Sequence, residues 1–100
     1  MKSPEGYEKD DIEKYLKSIG CWYIRTFTGG FGKSGVPDFV GCYRGRFFSI
    51  EVKREGKGPT KLQFMRMQEI KDAHGFAWAG TAAIVIPKIE AWKNNETWFK

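Results

Sequence analysis

The stretch Phe47-Phe-Ser-Ile-Glu-Val-Lys-Arg54 alternates between core-forming and other side chains, which is typical of a β-strand. One face carries Glu51 and Lys53, which are two residues apart and therefore lie side by side. An isolated Glu-x-Lys is most often an ion pair on a half-exposed strand, so the neighbouring residues decide its meaning. The opposite face, which we expect to lie in the core, consists of Phe48, Ile50 and Val52.

Asp38 lies 13 residues before Glu51, on the preceding strand of a predicted hairpin. That strand, Val36–Tyr43, is separated from the stretch above only by the turn Arg44-Gly45-Arg46. Cross-strand pairing would therefore bring the two carboxylates close together. The alternative is that Asp38 serves a turn after Pro37, because Pro-Asp is a common turn pair.

Two carboxylates that are held close repel each other unless a cation lies between them. A hard cation such as Mg²⁺ or Mn²⁺ would bind the oxygens of Asp38 and Glu51 and complete its shell with water. Lys53 would then orient the attacking water or help to deprotonate it, and would stabilise charge on a phosphate. We therefore interpret these three residues as a metal-dependent catalytic group.

The pattern around the hairpin predicts the element order α-β-β-β-α-β-α and an α/β sandwich around a mixed sheet. Because two strands are linked by a hairpin, the sheet is not wholly parallel. The predicted helices run from Ser3-Pro4 to about Ile19, from Thr60 to His74 with Gly75 as the cap, and from Pro87 to Asn94. The predicted strands are Cys21–Phe27, Val36–Tyr43, Phe47–Arg54 and Phe76–Ile86, and Gly80 is a possible interruption of the last one.

Length and composition narrow the class of protein. The chain has 100 residues, which we assign to one domain, residues 1–100, with a thin core. A net charge of +5 fits a polyanionic partner such as nucleic acid. The usual zinc sites are excluded, because Cys21 and Cys42 form no Cys-x-x-Cys pair and there is a single histidine. Without a membrane-spanning run or a secretory signal, we expect a cytoplasmic protein with reduced thiols.

Three short motifs, taken in their order and spacing, resemble a known family. They are Gly35-Val-Pro-Asp38, Ile50-Glu-Val-Lys53 and Pro59-Thr-Lys-Leu-Gln63. They resemble the VRR-NUC domain, a branch of the PD-(D/E)xK nuclease superfamily that is similar to Holliday-junction resolvases. The resemblance spans roughly residues 8–86, and the short format looks like the stand-alone versions of phages and bacteria. It implies a restriction-endonuclease-like α/β fold and a Mg²⁺- or Mn²⁺-dependent endonuclease that cuts DNA in a bacterial cell or phage-infected host.

The resemblance also implies roles at the matching positions. Asp38 and Glu51 would bind the metal, the backbone carbonyl of Val52 would be a further ligand, and Lys53 would be the catalytic lysine. Glu8 matches the acidic residue of the family's first helix, which helps to hold the metal. The alternative is that Glu8 is a helix N-terminal acid stabilised by the helix macrodipole.

Gln63 matches the family's glutamine near the active site, and it equally completes a capping box with Thr60 at the start of the second helix. Both assignments stay open. We expect residues near the proposed site to contact DNA phosphates. These residues are Arg25, Lys33, Ser34, Arg54, Lys57 and Lys61.

The resolvase likeness implies branched DNA, such as a four-way junction, as the substrate. It also implies a homodimer, whose two active sites would cut strands related by two-fold symmetry. Trp98 and Phe99, close to the C-terminus, are candidates for the subunit interface. The alternatives are a nuclease for nicks, flaps or single strands, a basic DNA-binding module with an inactive site, and a purely structural or interaction protein.

Overall fold

The structure is a computed structural model that describes residues 2–26 and 34–95. In these residues three helices pack on a four-stranded mixed sheet, in the predicted order of element types. Within the described ranges, no helix has the length and apolar character needed to cross a membrane. The elements are α1 (Pro4–Ser18), β1 (Trp22–Arg25), β2 (Phe39–Tyr43), β3 (Arg46–Val52), α2 (Lys61–Asp72), β4 (Phe76–Gly80) and α3 (Ala82–Lys93).

The strands lie side by side in chain order, from β1 at one edge of the sheet to β4 at the other. β1 and β2 are antiparallel, and so are β2 and β3. β3 and β4 run parallel and are connected through α2, which confirms the predicted mixed sheet. β2 and β3 each have hydrogen-bonded neighbours on both sides, so these two strands are more constrained than the edge strands β1 and β4.

α1 begins and ends at signals that its own sequence provides. The Ser3 side chain accepts a hydrogen bond from the Gly6 N–H at 3.0 Å, and Pro4 is the first helical residue, where a missing N–H costs nothing. Gly20 follows the helix with a φ of 70°, in the left-handed region that glycine enters without strain. The start and the end of α1 therefore agree with the prediction.

The core lies between one face of the sheet and the helices α1 and α3. Phe48, Ile50 and Val52 of β3 are each at most 1% exposed, which confirms the core face predicted for this strand. α2 contacts β3 and β4 from the other face, where Ser49 and Glu51 are buried as well. β3 is therefore buried on both of its faces. The core residues that the helices contribute are Ile12, Leu16, Ala82, Val85 and Ile89.

Residues 82–86, which were expected to continue the fourth strand, form the first part of α3 instead. Thr81 is the N-cap of this helix. Residues 82–86 are as apolar as a buried strand. The buried residues of α3 nevertheless follow a helical spacing, with Val85 and Ile89 four residues apart. Pro87, which was expected to begin the last helix, lies inside it.

Other element boundaries differ from the prediction by a few residues, and β1, expected at Cys21–Phe27, is Trp22–Arg25. β2 starts at Phe39, three residues later than expected, because Pro37 has no N–H to contribute to the ladder. α2 was expected to end near His74 with Gly75 as its cap. It ends at Asp72, and His74 adopts the left-handed φ of 70°. β3 ends at Val52, two residues before the predicted end of the strand.

Replacing Phe48 by alanine should lower the free energy of unfolding by about 3–5 kcal/mol, because the change leaves a cavity in the core. Phe48 is 1% exposed, and its ring lies 6.2 Å from that of Trp78 and 6.0 Å from that of Trp92. The control is Phe47→Ala, one residue earlier on the opposite face and 46% exposed. Urea unfolding measures both variants, and equal losses would contradict the assignment of the core face.

Candidate active site

The hairpin between β2 and β3 sets Asp38 against Glu51. Its turn, Arg44-Gly45, has φ angles of 50° and 82°, and two consecutive left-handed residues are typical of a tight type I′ turn. From this turn the register runs to the pair Phe39 and Ile50. The next position along the two strands is Asp38 opposite Glu51, so a two-residue turn determines which carboxylates meet.

The Asp38 carboxylate is only 7% exposed and makes two contacts far away in the sequence. Its Oδ2 accepts a hydrogen bond from the Val52 N–H at 2.7 Å. Its Oδ1 lies 3.2 Å from the Nζ of Lys9, a residue of α1. Neither partner belongs to a local turn, so turn chemistry after Pro37 does not account for Asp38.

Glu51 is 3% exposed and lies against the Asp38 carboxylate. Burial, followed by the hydrogen bond and the charge of Asp38, raises the pKa of Glu51 to about 9. The charge of Glu5 raises this pKa further, while that of Lys53 lowers it. When no metal is bound, the carboxylate pair therefore holds a proton at neutral pH.

The Asp38 and Glu51 oxygens fit a hard divalent cation. Glu51 Oε1 is buried and has no hydrogen-bond partner among the described residues, and a cation would give it one. Residues 2–26 and 34–95 contain no cluster of three His, Cys, Asp or Glu groups arranged around a common point. Mg²⁺ does not require such a cluster, because it is commonly held by one or two carboxylates together with water and substrate phosphates.

Lys53 completes the group that the sequence predicted. Its backbone N–H donates a hydrogen bond to the Gly80 carbonyl at 2.9 Å, which extends the pairing of β3 with β4 by one residue. Its ammonium is close enough to lower the pKa of Glu51. The structure thus brings Asp38, Glu51 and Lys53 together at the end of β3, and the neighbouring Val52 binds Asp38 through its N–H.

Glu8 has a contact that the sequence did not suggest. Its Oε1 accepts a hydrogen bond from the Ala82 N–H at 2.8 Å, so it satisfies a free donor at the N-terminus of α3. Its carboxylate also lines a cavity of about 280 Å³ together with Arg54 and Lys57. The structure does not place Glu8 in one cluster with Asp38 and Glu51, and its role as a metal ligand stays a prediction.

Gln63 forms the capping box that its spacing from Thr60 predicted. The Thr60 N–H donates to Gln63 Oε1 at 2.9 Å, and the Gln63 N–H donates to Thr60 Oγ1 at 3.2 Å. The side-chain oxygen of Gln63 is therefore used by the start of α2. A catalytic role for Gln63 stays a prediction.

The residues expected to contact DNA occupy different surroundings. Arg54 and Lys57 are exposed in the loop after β3, beside the candidate site, and Lys61 is exposed at the start of α2. Ser34 is also exposed, and its carbonyl accepts a hydrogen bond from Arg66 at 2.9 Å. Lys33 lies outside the described residues.

Arg25 differs from these exposed cations because two acids of α1 already engage it. Its guanidinium donates to Asp10 at 3.0 Å and to Glu13 at 3.1 Å. Both contacts lie on the surface and carry little energy, so a phosphate could compete for the guanidinium. Its role in DNA binding stays a prediction.

Sequence reasoning missed two residues of α1 that face the carboxylate pair. Glu5 is half-buried, and its charge raises the pKa of Glu51. Lys9 pairs with Asp38. The available signal was their spacing, since residues four apart share one face of a helix.

The arrangement of strands and helices has a counterpart among solved structures. A chain described as "VRR_NUC domain" aligns with a TM-score of 0.72 over 88% of this chain and 96% of that one. The protein described here therefore has the VRR_NUC fold. The restriction-endonuclease-like α/β class and the resemblance predicted from the three motifs are thereby confirmed at the level of fold. Sequence identity is 22%, no protein-family model matches the chain, and no curated protein matches it.

In the presence of a chelator, the free energy of unfolding should fall as the pH rises between about 5 and 9. The folded protein keeps the Glu51 proton up to its raised pKa of about 9, whereas the unfolded chain releases it near the ordinary value of 4.5. The stabilisation is therefore complete below the unfolded pKa and is lost as the pH approaches the folded one.

Glu51→Gln should reduce this slope, because the amide has the shape of the protonated acid and does not titrate. Urea unfolding at several pH values measures the effect, with Glu55→Gln in the exposed loop after β3 as the control. If the wild type and Glu51→Gln kept the same slope, the buried proton would have to lie elsewhere.

Proposed function

We propose that this chain is a divalent-metal-dependent DNA endonuclease, with Asp38, Glu51 and Lys53 as its catalytic group. The observation that carries the proposal is a buried carboxylate pair, flanked by a lysine at the end of strand β3, in which one oxygen has no hydrogen-bond partner among residues 2–26 and 34–95. Such a pair is costly to bury unless a proton or a cation neutralises its charge, and buried carboxylates of this kind are frequent at functional sites. The VRR_NUC fold adds support by analogy.

In this proposal Asp38 and Glu51 hold Mg²⁺ or Mn²⁺, with the backbone carbonyl of Val52 as a further ligand and Glu8 assisting from α1. The bound ion would polarise the scissile phosphate and lower the pKa of the attacking water. Glu51 would release its proton to solvent when such a cation is bound. Lys53 donates hydrogen bonds that orient the water, and its charge offsets the negative charge that develops on the phosphate.

DNA binding would rest on phosphate contacts and not on base reading. Arg54, Lys57 and Lys61 are exposed on the loop and helix start that follow the site, and the chain carries a net charge of +5. The remaining proposed contacts are Arg25, Lys33 and Ser34. The affinity should therefore fall steeply with salt, whatever the DNA sequence.

Substrate choice would then come from DNA shape. We place branched DNA, such as a four-way junction, first among the substrates, and we propose that two copies of the chain act on it as a homodimer. Nicked, flapped and single-stranded DNA are the alternative substrates. A domain with this surface but no turnover would be a basic DNA-binding module.

The domain and its setting complete the proposal. We treat residues 1–100 as one nuclease domain, in which Gln63 helps to shape the site from the start of α2. We also propose that it acts in the cytoplasm of a bacterial cell or a phage-infected host. Cys21 and Cys42, both of which are free thiols, are compatible with a reducing compartment.

Cleavage of a labelled four-way junction should require Mg²⁺ or Mn²⁺ and should stop with a chelator. Asp38→Asn and Glu51→Gln should each lower the rate by about 100-fold or more, because each removes one charged ligand from the site. Nicked, flapped, duplex and single-stranded DNA, run at the same ionic strength, rank the substrates. Asp11→Asn, an exposed acid of α1, is the control and should cut like the wild type.

Two results would overturn the proposal. Cutting that persists in both site variants would place the chemistry elsewhere. Tight, salt-sensitive binding without cutting of any substrate would identify a DNA-binding module instead.

The proposed homodimer has its own test. Light scattering on a concentration series should give twice the mass of one chain at the concentrations where junctions are cut symmetrically. A protein that stays monomeric while it cuts would remove paired incision and leave the nuclease assignment intact. Trp98 and Phe99, the interface candidates, lie outside the described residues, so Trp98→Ala is a suitable variant for the same measurement.

A further inference from the structure

We propose that Lys9 is an internal counter-ion of the active site, which occupies the open oxygen of Asp38 until a divalent cation displaces it. The inference rests on the proposed function, because it concerns the same carboxylate pair. It assigns a role to a residue that the motifs do not include. Lys9 acts through Asp38 and is therefore a positioning residue.

The two oxygens of Asp38 have different partners. Oδ2 is committed to the backbone, because it accepts the Val52 N–H at 2.7 Å within the paired part of the sheet. Oδ1 faces α1, and the Nζ of Lys9 lies 3.2 Å from it. A divalent cation bound between Asp38 Oδ1 and Glu51 Oε1 would therefore approach the place that the ammonium now holds.

The contact is sheltered, which separates it from ordinary surface ion pairs. The side chains of Lys9 and Asp38 are 27% and 10% exposed, so water and salt screen the pair only in part. For the same reason, two cations could not share this space without strong repulsion. Lys9 must leave Oδ1 when the cation arrives.

The other charged groups of α1 on this side are accounted for separately. Glu8 is bonded to the N-terminus of α3, and Glu13 is bonded to Tyr23 and Arg25. Glu5, four residues before Lys9, acts on the pKa of Glu51. Lys9 is thus the α1 residue that meets Asp38, and it keeps the carboxylate oriented toward Glu51 in the metal-free protein.

The consequence is a lowered affinity for the metal. Every binding event has to break the Lys9–Asp38 pair, so the pair sets the metal concentration at which the site fills. Removing the ammonium without shortening the side chain should tighten metal binding. The same removal should loosen the metal-free site, since Asp38 loses its ion pair with α1.

The test is binding of Mn²⁺ alone, followed by loss of the free-ion EPR signal, with no DNA and no turnover. Lys9→Met should bind about fivefold or more tightly than the wild type. Lys14→Met, on the exposed side of the same helix, removes the same charge and should change the affinity little. Lys9→Gln repeats the test in case the methionine variant folds poorly, and urea unfolding in chelator monitors folding.

Each outcome separates this inference from the proposed function. Equal Mn²⁺ affinity in wild type and both Lys9 variants, with binding lost in Asp38→Asn, would overturn the role of Lys9 and keep the metal site. Weaker binding in the Lys9 variants, or equal tightening in Lys14→Met, would also overturn it. No Mn²⁺ binding in any of the proteins would reject the metal site itself, and the counter-ion with it.

Discussion

The hydrogen bond from the Val52 N–H to the Asp38 carboxylate joins the two strands at the point where the candidate chemistry lies. It commits one oxygen of Asp38 to the backbone, while the other lies 3.2 Å from the Lys9 ammonium. Because β3 is paired on both sides and buried on both faces, neither residue has much freedom to move away. The fold therefore holds two carboxylates together despite their mutual repulsion.

This closeness has an energetic cost that the rest of the domain must offset. A proton on Glu51 and an ammonium beside Asp38 reduce the repulsion in the metal-free state. The aromatic cluster on the other face of the sheet, which includes Phe48, Trp78 and Trp92, supplies stabilisation that does not depend on the site. Stability and chemistry are thus carried by opposite faces of the same central strand.

Much of this arrangement could be predicted from local patterns. Alternation along β3 predicted its core face, and the distance from Asp38 to Glu51 predicted their meeting across the hairpin. Helix signals at Ser3, Thr60 and Gly20 predicted where α1 and α2 begin and where α1 ends. These features depend on neighbouring residues in the chain, which a sequence displays directly.

What could not be predicted depends on contacts between distant segments. The apolar composition of residues 82–86 fits a strand and a helix equally well, and the helix wins because Val85 and Ile89 fill the core beside α1. Glu8 was interpreted from the family resemblance, whereas its partner is an N–H 74 residues further along the chain. Lys9 and Glu5 belong to no motif, and only the packing of α1 over the end of β3 brings them to the carboxylate pair.

The two-residue turn at Arg44-Gly45 has a consequence for how such a chain can vary. It leaves no slack between β2 and β3, so an inserted residue would have to be absorbed by the ladder itself. A slip of one position would turn Asp38 to the opposite face from Glu51 and would send Phe39 out of the core. The length of this turn is therefore as necessary to the carboxylate pair as the two acids themselves.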